Sequence, residues 1–378
     1  MFYLAAVLDF WRRIMLSGVA AVSLTMCASA HAQTQGTAAP EARERLNRIS
    51  TDLFSTSPHL TDDIRALKEI LASDPNIAQA HMLLGIAYRG LGSPDMMSEA
   101  IAELRQALSL SPTYVPARLY LAYIYLDIGR PQRARDEIEA ALQQSPGNPQ
   151  LLALAGESER QLTNTQRAVE LAQQSLQIDP SSAEARYYLG LALFDLGKRL
   201  EAIKELEQVV ASGQAAPDAY LSLGTLYVEA GRFDEAVKTL ARGTAMDPSR
   251  ADLHIQLARA YRSAGLLDKA AEQLRLARPK PGTPLAPSEF RQQQIEFDRI
   301  VEQGALDVQR GQLAPAITAF KKALAIDPAN GPANRYLAQI YLRQGVYTSA
   351  AQYAARAEKA GAPLSAEERK QLAALRKK

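Results

Sequence analysis

The feature that most constrains this chain is a repeat with a period of 34 residues. A small residue, in most copies preceded by leucine, recurs at this step through the middle of the chain. This small-residue column consists of Gly85, Ala122, Gly156, Gly190, Gly224, Ala258, Gly304 and Ala338. A fixed period of this length indicates one short supersecondary unit copied along the chain, because each copy buries its apolar face only against its neighbours.

Three further columns keep the same spacing. A glycine follows the small residue by seven positions in seven copies, where it suits a left-handed turn at the end of a helix. An alanine column comes next, and we expect it to face the small residue across two closely packed helices. A proline closes most copies because it cannot continue a helix. Each copy therefore predicts two helices joined by a tight turn.

These columns resemble the tetratricopeptide repeat, a helix with Leu-Gly-x-x-Tyr, a turn, and a helix with Ala-x-x-x-Phe and a closing proline. The best match is LGTLYVEAGRFDEAVKTLARGTAMDP, residues 223–248. The matching copies start near residues 78, 115, 149, 183, 217, 251, 297 and 331. The resemblance implies an all-α fold, a right-handed α-solenoid of about eight helix-turn-helix units whose first helices line a concave groove.

The N-terminus has the features of a secretory signal. Arg12 and Arg13 precede an apolar stretch, and small residues precede a cleavage site after Ala32. Cys27, the single cysteine, lies in this segment. Cleavage predicts a periplasmic or secreted chain without a membrane span, and the alternative is an inner-membrane anchor that stays uncleaved.

The predicted organisation is a signal peptide (1–32), a linker and lead-in (33–60), six repeat units with an N-terminal capping helix (61–284), a proline-rich insert and helix extension (285–296), two further units (297–364) and a C-terminal capping helix (365–378).

Composition and motifs exclude several functions. Lys and Arg total 43 against 41 Asp and Glu, a net charge of +2, which disfavours nucleic acid as a partner because phosphate binding needs a concentrated basic surface. The stretch GLALFDLGK, residues 190–198, looks like a phosphate-binding loop, but its glycines belong to the repeat columns and Arg199 follows the lysine. We predict no nucleotide, no metal and no cofactor, and no catalytic residue.

Irregularities interrupt the repeat at two places. The segment 61–75 predicts a capping helix with Thr61 as its N-cap and Pro75 as its stop. The proline-rich stretch RPKPGTPLAP, residues 278–287, precedes Ser288, the predicted N-cap of an overlong first helix in unit seven. This insert is either a hinge or a rigid connection. Residues 365–368 predict a capping box before the last helix.

Four polar residues occupy repeat positions where they stand out. Glu159 and Asp307 replace the tyrosine of the repeat, and we expect them to be solvated or paired with an arginine, because a buried unpaired carboxylate is costly. His81 and His254 share one repeat position and are predicted to be packing or groove residues.

The groove that the resemblance implies gives the candidate site. The predicted partner-binding residues are Leu119, Tyr123, Leu126, Tyr187, Leu191, Phe194, Arg259, Arg262, Arg335, Gln339 and Arg343. Tyrosine and arginine often carry binding energy, so we expect an extended or helical peptide with an acidic portion towards the basic C-terminal end.

The sequence favours a non-enzymatic interaction scaffold of the bacterial cell envelope that binds other envelope proteins. The alternative is a polysaccharide-binding or export-associated periplasmic module that stacks sugars on the aromatic groove residues. An enzyme has no supporting constellation of residues.

Overall fold

The computed structural model describes residues 40–55, 58–213, 215–278 and 289–375. These residues form nineteen α-helices and no strand. The helices are α1 Pro40–Leu53, α2 Leu60–Ser73, α3 Ala78–Leu91, α4 Pro94–Leu110, α5 Val115–Asp127, α6 Pro131–Gln144, α7 Pro149–Gln161, α8 Thr165–Ile178, α9 Ala183–Asp195, α10 Arg199–Ala211, α11 Pro217–Glu229, α12 Phe233–Met246, α13 Ala251–Ser263, α14 Leu267–Leu276, α15 Glu289–Gln309, α16 Leu313–Ile326, α17 Gly331–Arg343, α18 Tyr347–Lys359 and α19 Ala366–Leu375. The predicted signal peptide lies outside the described residues. No helix within them combines the length and apolar character that crossing a membrane requires.

The helices pack in consecutive pairs, as the repeat predicts, so the all-α helix-turn-helix fold is confirmed. The pairs in direct contact are α3/α4, α5/α6, α7/α8, α9/α10, α13/α14, α15/α16 and α17/α18. First helices of neighbouring pairs also contact one another, for example α7 and α9. The first helix of unit seven, α15, begins at Glu289 and is overlong at 21 residues, whereas the predicted cap Ser288 lies outside the described residues.

The small-residue column allows the two helices of a pair to approach closely. A Cβ atom added to Gly190 would lie 2.9 Å from Cγ of Leu206, and one added to Gly304 would lie 2.9 Å from Cζ of Phe320. The alanines opposite, such as Ala202 and Ala316, are completely buried. Larger residues in either column would overlap the neighbouring helix, which is why the sequence keeps both columns small.

The turn glycines adopt the left-handed conformation that the sequence predicts. Gly92, Gly129, Gly197, Gly231, Gly265, Gly311 and Gly345 have φ between 68° and 78°. In the third pair Thr163 takes this place with φ 65°. A β-branched residue is strained there because its Cβ crowds the backbone.

Replacing Thr163 with glycine is expected to stabilise the chain by about 1 kcal/mol, because it removes this crowding. The reverse change at the equivalent turn, Gly197→Thr, is expected to destabilise the chain by about 1–2 kcal/mol. Urea denaturation followed by circular dichroism measures both. Equal stability of Thr163→Gly and the parent chain would show that the turn carries no strain.

Helix α1 lies inside segment 33–60, which the sequence analysis treated as linker and lead-in. Its buried residues Leu46, Ile49 and Leu53 recur at helical spacing, although the segment lacks the small-residue and glycine columns of the repeat. The prediction of Thr61 as the N-cap of α2 is wrong, since α2 begins at Leu60 after His59. Leu60 is buried, and the backbone N–H of His59 donates to the Asp52 carboxylate at 2.6 Å.

Asp63 in α2 predicts a pH-dependent stability. Its side chain is buried, and burial together with the hydrogen bond that its protonated carboxyl donates to Asp52 raises the pKa of Asp63 from 3.8 to about 7. The folded chain therefore loses stability as the pH rises from about 4 to about 7, where the buried carboxyl ionises. We expect Asp63→Asn to be about 1–3 kcal/mol more stable than the parent at about pH 8 and no more stable at about pH 4. Thermal melts across this range measure the difference, and a constant difference would contradict the raised pKa.

The chain divides into two compact bodies. Of the described residues, the N-terminal body contains 40–230 and 241–249, and the C-terminal body contains 231–240, 250–278 and 289–375. The division therefore falls within 230–250, whereas the hinge candidate predicted from the sequence is residues 279–296. Residues 279–288 of the proline-rich insert lie outside the described residues.

Candidate functional site

The predicted groove residues of α5 are packed inside the N-terminal body. Leu119, Tyr123 and Leu126 are 4%, 8% and 8% exposed. Neighbouring first helices cover them, because α5 contacts both α3 and α7. The expectation that these three side chains form an open apolar surface does not match their burial. Periodicity identified the face of the helix, but it could not show how closely the next helices approach.

The predicted residues of α9 are more accessible. Tyr187, Leu191 and Phe194 are all half-buried. The Tyr187 ring packs against a cluster that contains Val209 and Tyr220. Its hydroxyl lies 3.4 Å from that of Ser222 in α11. Tyr187 therefore has a packing role as well as an exposed portion.

A polar network links α3, α5 and α9 on this face. The Arg89 guanidinium donates two hydrogen bonds to one Asp127 carboxylate oxygen at 2.9 and 3.0 Å. The same guanidinium lies 4.9 Å from the centroid of the Tyr123 ring. The Tyr123 hydroxyl donates to Glu184 at 2.9 Å, 61 residues along the chain. These contacts tie the first helices of three units together.

Glu184 is the centre of a carboxylate–tyrosine cluster. The Tyr188 hydroxyl also donates to it, at 3.2 Å, and the Tyr187 and Tyr188 rings lie 5.8 Å apart. Burial raises the pKa of Glu184, and the nearby Glu157 carboxylate adds to this effect against the two hydroxyl donors. The pKa of Tyr188 is raised well above 10 by burial and by the charge of Glu184. Both groups thus keep their protons more firmly than in water.

A second ion-pair group extends the network along α7 and α9. Arg160 donates to both oxygens of Glu157, at 2.8 and 2.9 Å, and to Asp195 at 2.9 Å. Gln161 also donates to Glu157, at 2.9 Å. Arg160 and Asp195 repeat the arrangement of Arg89 and Asp127, with arginine in one first helix and aspartate near the end of the next.

We call the surface that carries these side chains the groove face. It consists of Arg89, Tyr123, Asp127, Glu157, Arg160, Glu184, Tyr187, Tyr188, Leu191, Phe194 and Asp195. Tyr123, Tyr187, Leu191 and Phe194 of this face were predicted from the sequence, whereas Tyr188 and the charged residues were not. The signal was available, because Asp127 and Asp195 lie two periods apart at the same repeat position.

The basic residues of α13 are held inside the C-terminal body. Arg259 donates to Glu302 at 3.3 Å, and Arg262 forms an ion pair with the same carboxylate. The Glu302 side chain is 3% exposed, so it offsets both positive charges from within the α13–α15 contact. The positive charge predicted for this end of the groove is therefore largely offset at Arg259 and Arg262, because the Glu302 carboxylate of unit seven faces both side chains.

The last three predicted residues lie on α17. Gln339 donates to Glu368 of α19 at 2.8 Å, whereas Arg335 and Arg343 are exposed. The predicted capping box of α19 is confirmed, because Ser365 and Glu368 exchange hydrogen bonds between side chain and backbone at 2.8 and 3.2 Å. The Gln339 side chain is thus already hydrogen-bonded to the capping helix α19, so a partner protein would have to compete with Glu368 for it.

The four unusual repeat residues have polar partners. Glu159 lies 3.8 Å from Arg135 and accepts from Asn164 at 2.6 Å. Asp307 accepts from Gln303 at 2.9 Å. His81 contacts the Glu103 carboxylate at 2.6 Å, and His254 contacts Gln273 at 2.7 Å. The histidines therefore join the first and second helices of their pairs.

Within the described ranges, no group of three His, Cys, Asp or Glu side chains is arranged to hold a metal ion. A cavity of about 560 Å³ lies at the α7–α8 turn, lined by residues that include Glu159, Thr163 and Leu196. This cavity is open, and none of its lining residues belongs to the groove face.

Comparison with known families identifies the repeat. Profiles described as "Tetratricopeptide repeat" match residues 96–157, 160–223 and 221–284, and one described as "TPR repeat" matches 304–345. Together they span more than half of the chain. No curated protein matches it.

Solved structures show the same fold. The crystal structure of the APC/C hetero-tetramer Cut9–Hcn1 aligns with a TM-score of 0.66 at 13% identity over 86% of this chain. This chain covers 62% of that one. A tetratricopeptide repeat protein from Parabacteroides merdae ATCC 43184 aligns with a TM-score of 0.52 at 16% identity, over 69% of this chain and 100% of that one. With the paired helices, the left-handed turn glycines and the matched profiles in agreement, this chain belongs to the tetratricopeptide repeat proteins.

Proposed function

We propose that this chain is a non-enzymatic scaffold of the bacterial cell envelope that binds a partner protein on the groove face. The observation that carries the proposal is the half-buried aromatic and aliphatic surface of α9, formed by Tyr187, Leu191 and Phe194. Side chains of this type lose little conformational entropy on binding and contribute large contact areas. The envelope location rests on the signal-like N-terminal sequence.

Photo-crosslinking in living cells tests this proposal. We expect a crosslinking residue in place of Phe194 or Tyr187 to capture one discrete envelope protein. A crosslinker in place of Leu200, which is 81% exposed on α10, is the control for non-specific capture. Capture from position 200 with none from positions 187 and 194 would move the binding surface away from the groove face.

The contribution of Tyr187 is tested with a conservative variant. Since its ring packs against Val209 and Tyr220, Tyr187→Ala would confound binding with folding. Tyr187→Phe keeps the packing and removes the hydroxyl near Ser222, so we expect a thermal midpoint within a few degrees of the parent. Leu191→Ala is expected to weaken partner binding by about tenfold through lost apolar contact. Unchanged binding by Leu191→Ala would exclude α9 as the contact surface.

A wash with neutral polysaccharide distinguishes the scaffold from a second candidate function. A protein partner should stay bound to the chain during the wash. The alternative function, a polysaccharide-binding or export-associated module, would use the same aromatic residues for stacking on sugars. One of the aromatic residues that it would use, Tyr123, is buried and hydrogen-bonded to Glu184, which favours the protein partner.

A further inference from the structure

The groove face carries an excess of negative charge. Its polar network contains four carboxylates, those of Asp127, Glu157, Glu184 and Asp195, against the guanidinium groups of Arg89 and Arg160. At least one negative charge therefore remains without a compensating cation in the network, even where Glu184 holds its proton. The acidic portion of the peptide was expected at the C-terminal arginines, and the groove face of the N-terminal body has the opposite charge from those residues.

The two arginines are already occupied. Arg89 is 5% exposed at its side chain and bonds to Asp127, and Arg160 bonds to both Glu157 and Asp195. Glu184 accepts hydrogen bonds from the Tyr123 and Tyr188 hydroxyls, and no Lys or Arg of the described residues forms an ion pair with it. A buried carboxylate gains from a cation placed nearby, because charge attraction is strong where water is excluded.

A neighbouring buried acceptor points to a ligand that donates hydrogen bonds. Gln150 occupies in α7 the repeat position that Glu184 occupies in α9, one period along the chain. Gln150 is 7% exposed, and its Oε1 atom accepts no hydrogen bond. Buried acceptors are normally satisfied. Ammonium and guanidinium groups carry only donors, which suits a face whose carboxylates and amide oxygen are all acceptors.

Part of the network is open to solvent. The Asp127 and Asp195 side chains are 39% and 33% exposed, and they lie at the ends of α5 and α9. Phe194 immediately precedes Asp195, and Leu191 lies one turn earlier in α9. An incoming chain thus meets alternating apolar and anionic side chains. Aromatic rings beside carboxylates are suited to lysine and arginine, because the ring face also attracts cations.

From this charge balance and accessibility we propose that the groove face of the N-terminal body binds a basic peptide segment of the partner protein. Lysine or arginine side chains of the segment contact Asp127 and Asp195, and an apolar side chain packs on Leu191 and Phe194. This inference rests on the proposed function, because it names the chemistry of the partner. Electrostatic complementarity of this kind sets specificity and the rate of association.

Matched synthetic peptides test the inference. Three fluorescein-labelled peptides share phenylalanine and leucine residues and differ only in carrying lysine, glutamine or glutamate between them. We expect the full-length chain to bind the lysine peptide about tenfold more tightly than the glutamine peptide, and to bind the glutamate peptide most weakly. Fluorescence anisotropy measures the three affinities, and the preference should shrink at high salt.

A pair of variants with the same change in net charge identifies the site. The double variant Asp127→Asn, Asp195→Asn should lose about tenfold affinity for the lysine peptide and little for the glutamine peptide. Glu139→Gln with Glu170→Gln removes two exposed acids from the second helices α6 and α8, and it should leave both affinities unchanged. Asp195→Asn alone is the second test, because Arg160 keeps its bonds to Glu157 in this variant. It too should weaken binding of the lysine peptide more than binding of the glutamine peptide.

The results separate this inference from the proposed function. Equal binding of the lysine and glutamate peptides, an equal loss in the control pair, or no binding of any peptide would overturn the basic-peptide inference. If cellular capture at positions 187 and 194 persists in that case, the scaffold proposal stands with a different partner chemistry. Lysine-peptide binding that depends on Asp127 and Asp195, without any capture in cells, would support the inference and count against the scaffold.

Discussion

Replacing Phe320 with alanine is expected to lower the free energy of unfolding of the C-terminal body by about 3–5 kcal/mol. The Phe320 ring is completely buried, stacks on Tyr336 with ring centroids 4.8 Å apart, and fills the space opposite Gly304. Its truncation leaves a cavity between α15 and α16, and the helices relax only partly into it. Urea denaturation followed by circular dichroism measures the loss.

Gly304 provides the internal control for this prediction. In the parent chain Gly304→Ala is expected to cost about 1–3 kcal/mol, because its Cβ would lie 2.9 Å from the Phe320 ring. In the Phe320→Ala background the same methyl group enters the cavity and should cost little. The two changes therefore couple strongly in a double-mutant cycle. Additive effects would show that these residues do not face each other.

Replacing Glu302 with glutamine is expected to destabilise the C-terminal body by about 2–4 kcal/mol. The Glu302 side chain is 3% exposed and pairs with both Arg259 and Arg262. Removing its charge takes away the ion-pair partner that the two guanidinium groups share. Glutamine keeps the volume, so the loss is electrostatic rather than a packing defect.

An exposed ion pair serves as the comparison for Glu302. The Glu272 side chain is 51% exposed and pairs with Arg275 along α14, and Glu272→Gln should cost less than about 1 kcal/mol. Similar losses for the two variants would mean that Glu302 is solvated and that Arg259 and Arg262 are available to ligands. In that case the glutamate peptide should bind more tightly to Glu302→Gln than to the parent chain.

The repeat register could be predicted because its residues act locally. Glycine at a left-handed turn, a small residue at a helix crossing and proline at a helix end each depend on a few neighbouring atoms. Gly197 with φ 76° and Ala202 with no exposed surface confirm this reasoning. Thr163 shows its limit, since the turn geometry of the repeat persists where its glycine is missing.

The candidate site could be predicted only in part. Periodicity placed Tyr123 and Tyr187 on one face, and the structure brings them to that face. It could not predict that the Tyr123 hydroxyl reaches Glu184, two units away, because that distance depends on how closely successive helix pairs pack. For the same reason the sequence suggested free arginines at 259 and 262, whereas Glu302 lies against them.

The sequence by itself determined the helices of the repeat units, their pairing and the residues at their contacts, since these follow from short-range sterics that recur every 34 residues. Only the tertiary structure decided which side chains of the first helices are covered and which charges offset one another. Those properties depend on distances between residues tens of positions apart, and the electrostatic energy of a pair changes steeply with its separation and its exposure to water. The net charge of the groove face is therefore a property of the packed helices.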